Sequence, residues 1–274
     1  PFVVNVAVSP TGRECIRREF GLLDRLYREF EQPVLPRVYD LEEITCPNGK
    51  KLPMFSGQWL EGFCEFHLTG DPPEGLSNVI VWDPEGAPFY LTEKQAENAF
   101  RQVAAILTGA YNFYTFEQIR AWHHAAGDFI LRPVDADRVD IRLITVREYA
   151  PHIEKAEPDP AALIDGLLLF FLNLTLRNRI DRLDGTGGLA WADDYALKGT
   201  IDGFFSGLEV LVPKLDLPSS FPGEFKNYLR SHPPGALREL FSALVARIPE
   251  ASPERNFVQK RIDRHADLFR IFLG

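Results

Sequence analysis

The residues Ala121-Trp122-His123-His124-Ala125-Ala126-Gly127-Asp128-Phe129-Ile130-Leu131 decide how this chain is read. Two histidines and an aspartate sit in a polar stretch that runs directly into an apolar segment, the composition of a loop feeding a strand. Further on, Val139-Asp140-Ile141-Arg142-Leu143-Ile144-Thr145 alternates apolar and polar side chains, the period of a second, half-buried strand. Upstream, Thr92 followed by Gln95 has the spacing of a capping box and opens a helix from Glu93 towards Tyr114. A second helix is expected over 115–122. The order is helix, polar loop and hairpin, with titratable residues where the chain enters and leaves the strands. Loops held by a rigid scaffold are where chemistry is usually placed.

Working outward, residues 1–9 are Val-rich and predict a strand, and Pro10-Thr11-Gly12 predicts a turn. Ile16, Phe20, Leu23, Tyr27 and Phe30 recur at helical spacing, so 13–30 predicts an amphipathic helix ended by Pro33 and Pro36. Residues 34–43 and 52–60 read as strands around the turn Cys46-Pro47-Asn48-Gly49-Lys50. A helical turn is expected at 63–68. The Pro-, Gly- and Asp-rich stretch 70–92 reads as an insertion with one strand at Val79-Ile80-Val81-Trp82. On the other side, Pro158-Asp159-Pro160 opens an apolar helix over 161–178, and 184–188 is a Gly-rich loop. Helices follow over 191–208, despite Gly199 and Gly203, and near 223–231, 235–247 and 253–272. The fold class is therefore α+β: a small β-rich lobe over 1–62, joined to a larger, mainly helical lobe over 63–274.

With 274 residues, 45% hydrophobic and 25% charged, the chain has the composition of a soluble globular protein and the length for a normal core. A net charge of -9 argues against a general nucleic-acid surface, so no nucleic-acid partner is expected. Cys15, Cys46 and Cys64 are too few for a disulfide framework, which points to a reducing, cytoplasmic setting. Cys64 and His67 form a C-x-x-H pair, half of a zinc site, with no second pair at matching spacing. The apolar start lacks a basic lead, so no signal peptide is expected. The apolar run 163–176, interrupted by Asp165 and Asn173, is shorter than a bilayer span and predicts a buried helix, with no transmembrane segment.

Taken in order, these segments resemble the protein-kinase-like fold and are similar to aminoglycoside phosphotransferases and bacterial lipopolysaccharide core kinases. The resemblance covers roughly residues 1–150 by pattern and the helical remainder by class. In Arg18-Glu19-Phe20-Gly21-Leu22-Leu23, Glu19 matches the helix glutamate that pairs with a strand lysine, and Ser9 takes that lysine's place. Leu35-Pro36-Arg37-Val38-Tyr39 looks like the start of the fourth strand. Residues 54–62 look like the fifth strand and hinge, where Gln58, Trp59 and Leu60 would meet an adenine through the main chain.

Ala126-Gly127-Asp128 stands where the family has Pro-Gly-Asn. The resemblance thus places Asp128 at the second metal position, where a carboxylate suits Mg²⁺. His123 falls where the catalytic aspartate accepts the hydroxyl proton, and a histidine can serve as a base near neutral pH. Ala121 replaces the first histidine of that motif, and Thr145 replaces the principal metal-binding aspartate. Asp140 and Glu148 either supply the missing carboxylate or are solvated surface residues. Likewise, Glu19 is either the paired glutamate or a solvated helix residue, and His123 and His124 are either functional or packed against Trp122. The family's Gly-rich phosphate loop would precede residue 1, which leaves the β-rich lobe truncated. Gly185, Gly187 and Gly188 have no strand ahead of them and do not form a phosphate cradle. Arg177, Arg179 and Arg182, with Asp181 and Asp184, make either a salt-bridge network or an anionic-substrate site.

Phosphoryl transfer rests on positioning and charge neutralisation. The lysine, the principal metal aspartate and the usual base are all replaced here. The expectation is a pseudokinase, a nucleotide- or ligand-binding regulatory protein with its ligand in the interlobe cleft. One alternative is an atypical ATP- and Mg²⁺-dependent phosphotransferase acting on a small molecule, glycolipid or protein. It would use His123 and Asp128 in catalysis and Asp128 and Thr145 as metal ligands. Another is an α+β interaction domain with a protein partner and no nucleotide.

Overall fold

A computed structural model of the chain describes residues 1–30, 33–120, 127–151 and 160–274. The chain begins with β1 (Phe2–Val6) and α1 (Pro10–Glu29). Ser9, expected to end the strand, is instead the N-cap of α1: its Oγ accepts from the Gly12 N–H at 3.0 Å, and Pro10 opens the helix. Ile16, Leu23 and Leu26 fall on one stripe of α1 and are buried. That stripe leans on a three-stranded antiparallel sheet of β1, β2 (Val38–Thr45) and β3 (Lys51–Gln58) in the order β1-β3-β2. Gly49, at φ 78°, turns β2 into β3. Val4 pairs with Ser56 and Leu41 with Phe55, and Phe20 of α1 meets the Phe55 ring at 5.9 Å between centroids.

The chain leaves β3 through Trp59–Phe63 and enters β4 (Cys64–Leu68), where a helical turn was expected. Its sequence Cys64-Glu65-Phe66-His67-Leu68 does alternate apolar and polar residues, the period of a strand, over too short a run to stand out from the glycine- and proline-rich residues around it. It pairs on one side with β5 (Val79–Trp82), at the place read for a strand, and on the other with β8 (Phe129–Pro133). With β6 (Phe89–Tyr90) and β9 (Val139–Leu143) they make a five-stranded sheet, β6-β5-β4-β8-β9. The capping box at Thr92 and Gln95 is formed, and α2 runs Glu93–Gly109.

The helix expected over 115–122 is a turn followed by β7 (Glu117–Arg120). The Asn112 side chain accepts from the Tyr114 and Thr115 N–H groups, and buried Phe116 adopts φ 58°, which ends any helix there. Strand β7 pairs with β10 (Glu148–Pro151), an element the sequence pattern did not suggest.

Helix α3 (Pro160–Arg177) is mainly apolar, broken by exposed Asp165 and by Asn173. By length and composition it could cross a membrane (mean hydropathy 1.4), yet 50% of it is buried in this protein and it belongs to the common core. The Gly-rich loop is closed by a short hairpin, β11 (Ile180–Arg182) and β12 (Leu189–Trp191). Four further segments follow: α4 (Asp194–Leu211), α5 (Phe221–Ser231), α6 (Pro234–Ala246), and a last helix that breaks into α7 (Pro253–Gln259) and α8 (Ile262–Leu273).

Helix α4 tolerates its glycines because α2 lies directly on them. A Cβ on Gly199 would stand 2.3 Å from the Glu97 carbonyl oxygen, and one on Gly203 2.0 Å from that of Arg101. Stacked rings fill the space behind, with Phe171 and Phe204 at 3.9 Å between centroids. Buried side chains form one continuous core from Ala7 through α1, the five-stranded sheet and α2–α4 to Leu273.

Candidate ligand-binding cleft

A cavity of about 220 Å³ opens between the three-stranded sheet, α1 and the β8–β9 hairpin. Its roof is Val3 and Asn5 of β1 with Phe55 and Gly57 of β3; alternation along each strand points these side chains to one face. Glu19 and Leu23 of α1 close the back. Gln58, Trp59, Leu60 and Phe63 border the edge, and Ile130, Ile144 and Thr145 form the floor. Five of the six described sequence-predicted site residues (Glu19, Gln58, Trp59, Leu60 and Thr145) thus share one cavity. His123, Ala121 and His124 lie outside the described residues.

Gln58 is held by its neighbours. Its N–H donates to the Arg37 carbonyl at 2.8 Å, and its Oε1 accepts from the Arg37 N–H at 3.2 Å. Trp59 is half exposed at the rim. The Leu60 carbonyl accepts from the Phe63 N–H at 3.3 Å, which fixes the bend of the connection.

The sixth residue, Asp128, sits just behind the floor. Gly127 at φ 68° turns the chain into β8, and a Cβ there would meet Glu65 Oε1 at 3.2 Å. The Asp128 side chain is fully buried, and its carbonyl accepts from the Ile144 N–H at 2.8 Å. The segment after β9 is further pinned by Leu143 N–H donating to the Val34 carbonyl at 2.9 Å. These bonds bring Arg147 back over the aspartate: Arg147 Nη1 stands 2.6 Å from Asp128 Oδ1. The approach is a close charge contact.

Glu19 faces the same pair. Burial pushes its carboxyl above the ordinary glutamate range. The Arg147 charge pulls it back, the Asp128 charge adds to the rise, and the Val146 N–H donating to the carboxylate lowers it. Two carboxylates and one guanidinium therefore share a partly dry pocket. Arg147, which the sequence reasoning passed over, is the third member of this group; its only sequence signal was a cation two residues after Thr145.

The other candidates are engaged elsewhere. Asp140 pairs with Arg132 at 3.3 Å and with Arg142, and both guanidiniums lie over the Phe63 ring. Glu148 pairs with Arg120 at 3.8 Å. Arg177 pairs with Glu254 at 2.7 Å and Arg179 with Asp194 at 2.9 Å, while Arg182 donates to the Gly187 carbonyl. Asp181 accepts from the Leu68 N–H, tying the β11–β12 hairpin to β4. Arg177 and Arg179 thus form ion pairs with Glu254 and Asp194.

Among the described residues the candidate metal ligands of this site are Asp128 and Thr145, with His123 and His124 lying outside them. Thr145 is neutral, Asp128 already faces a guanidinium, and the described residues contain no group of three His, Cys, Asp or Glu able to hold a metal. That holds for Cys64 and His67 as well. No protein-family model, curated protein or solved structure matches this chain.

Proposed function

We propose that this chain is a degenerate kinase-like protein that binds a small ring-bearing ligand in the cleft and does not transfer phosphate. The carrying observation is that Glu19, the Gln58-Trp59-Leu60 connection and Thr145, which are far apart in sequence, wall one cavity. Three further features support it. The strand–helix–strand–strand order with β1-β3-β2 pairing, followed by a short connection, suits part of a nucleotide-handling lobe with its hinge. The β8–β9 hairpin with Asp128 before it and Thr145 after it suits the metal-site hairpin of that scaffold. The β1 residues facing the cavity are Val3 and Asn5, so Asn5, not Ser9, takes the strand lysine's place on this reading.

The chemistry argues for binding without turnover. A transferred phosphoryl group needs cations along its path. Among the described residues the cavity wall offers amides, a hydroxyl, apolar groups and the Glu19 carboxyl, and Asp128 faces Arg147. Burial of ionisable groups beside a cleft is itself a mark of a functional site.

The test is transfer of labelled γ-phosphate from ATP to water or an acceptor, with Mg²⁺ or Mn²⁺ present. Turnover at the level of the blank is expected. Turnover that disappears in Asp128→Ala would establish the atypical phosphotransferase instead. The interaction-domain reading draws on one observation: Phe2, Val4 and Val6 are exposed on the edge strand β1. Loss of a partner on Val4→Lys, with the cleft inert to every ring ligand, would favour it.

A further inference from the structure

The wall of the cleft has an unusual charge distribution. Among the described residues that line it, Glu19 alone is ionisable, and none is a lysine or arginine. The nearest guanidinium of this group, Arg147, is turned onto Asp128 at 2.6 Å. Arg132 and Arg142, over the Phe63 ring at 4.8 and 5.0 Å, share Asp140. A triphosphate entering here would set its negative charge against the Glu19 carboxylate with no lining cation to offset it. A divalent ion would have to displace Arg147 from Asp128 to gain a second carboxylate beside Glu19. The cavity is also small: about 220 Å³ lies below the roughly 300–1,000 Å³ of pockets for drug-sized ligands. Its walls are otherwise apolar, with the Phe55 and Phe63 rings and Leu23 and Ile144 beside the polar groups of Asn5, Gln58 and Thr145.

Resting on the reading of this cleft as a ligand site, we propose that Arg147 is a built-in cation in the place a metal would take, and that the cleft selects flat nitrogen heterocycles without phosphate groups, independently of divalent ions. Glu19 provides the selection, repelling anionic ligands and accepting hydrogen bonds from ring amino groups. Arg147 holds Asp128 in place and keeps it from recruiting a metal. The shared chemistry of the ligand is a nucleobase-like ring, neutral or singly cationic.

The experiment uses the full chain and the probes adenine, adenosine, 4-aminoquinazoline and ATP, each with EDTA, Mg²⁺ or Mn²⁺, read by calorimetric titration and thermal shift. At least one of the phosphate-free rings is expected to bind about tenfold or more tighter than ATP, with no change on adding metal. Glu19→Gln is expected to narrow that preference by raising ATP affinity. Mn²⁺ alone is expected to raise the melting temperature of Arg147→Met and to leave the unsubstituted protein unchanged. Should Arg147→Met not fold, the Glu19→Gln comparison and the metal series on the unsubstituted protein still decide.

Tighter binding of ATP with Mg²⁺ than of every ring, or stabilisation of the unsubstituted protein by Mn²⁺ that Asp128→Asn removes, would overturn the proposal and leave the cleft as a nucleotide site. If neither the rings nor ATP bind, the reading of the cleft falls along with it.

Discussion

The α2–α4 interface and the cleft are two ways of bringing distant segments together. Between α2 and α4 the chain removes side chains. Gly199, Gly203 and Gly207 let one backbone rest on another, and the surrounding space is filled by apolar and aromatic groups. At the cleft the chain does the opposite and puts ionisable side chains into partly dry space. Asp128 is fully buried, Glu19 is displaced upward by burial, and Arg147 is drawn in to face both. The first arrangement is what stability alone favours, because close packing gains dispersion without desolvating charge. The second carries a desolvation cost that apolar residues of the same size would avoid. The difference suggests that the cleft is kept for something other than holding the fold together.

The comparison can be broken most forcefully at its apolar side. Gly203→Ala would place a Cβ 2.0 Å from the Arg101 carbonyl oxygen, a backbone atom that cannot swing aside. A loss of about 3 kcal/mol or more is expected in chemical denaturation. A loss under about 1 kcal/mol would mean that the two helices are not seated as described.

At the charged side, Arg147→Ala removes the guanidinium that stands 2.6 Å from a fully buried carboxylate. A cost of about 3 kcal/mol is expected, reduced in the double variant Arg147→Ala/Asp128→Asn. Additive effects of the two substitutions would show that the pair is not coupled.

Two pH profiles separate the regions further. His265, buried against Trp191 and Phe241 with Nε2 3.1 Å from the Thr175 hydroxyl, is held well below the ordinary imidazole range, mainly by burial and then by the Arg179 charge. The unfolded chain binds its proton more readily than the folded one. Stability from this group is therefore complete above the ordinary histidine range and is lost as pH falls through and below it. Glu19 runs the other way. Its folded value is raised, so the folded chain holds the proton longer, and stability falls as pH rises from the ordinary glutamate range through the raised value. His265→Gln is expected to flatten the acid limb of melting temperature against pH, and Glu19→Gln to flatten the decline above it. Unchanged slopes in both variants would contradict these assignments.

The smallest effect provides a control for the first. Gly223, in α5, has open space where a Cβ would go, so Gly223→Ala is expected to gain about 0.5 kcal/mol. A loss there would mean that the glycine serves some contact beyond its own helix.

Much of this fold was legible from local pattern. Helix α1, the β2–β3 hairpin, the capped start of α2 and the β8–β9 hairpin each carry their own periodicity or turn chemistry, and they stand within a few residues of where the sequence places them. What escaped is decided elsewhere in the chain. Strand β4 alternates over only five residues, and its place in the middle of a sheet is set by β5 and β8, the latter more than sixty residues away. The turn before β7 depends on Phe116 in a left-handed conformation lying against Gly166, a contact fifty residues away. The last helix breaks at Lys260–Arg261, where neither glycine nor proline announces it.

At the site, Glu19, Thr145 and the Gln58–Leu60 connection were legible through the order of the segments. Arg147 was not. An arginine in a turn reads as solvated, and nothing local to it says that Asp128 lies buried beneath.

The most direct test is a calorimetric titration of a phosphate-free nitrogen heterocycle such as adenosine into the metal-free protein and into Gly57→Val. That substitution adds methyl groups to the cavity roof, where a Cβ meets no atom closer than 3.4 Å. Saturable one-to-one binding, indifferent to EDTA and lost in a Gly57→Val protein of unchanged melting temperature, is the expected result. No saturable heat with the intact protein, or binding that survives with the cavity filled, would contradict it.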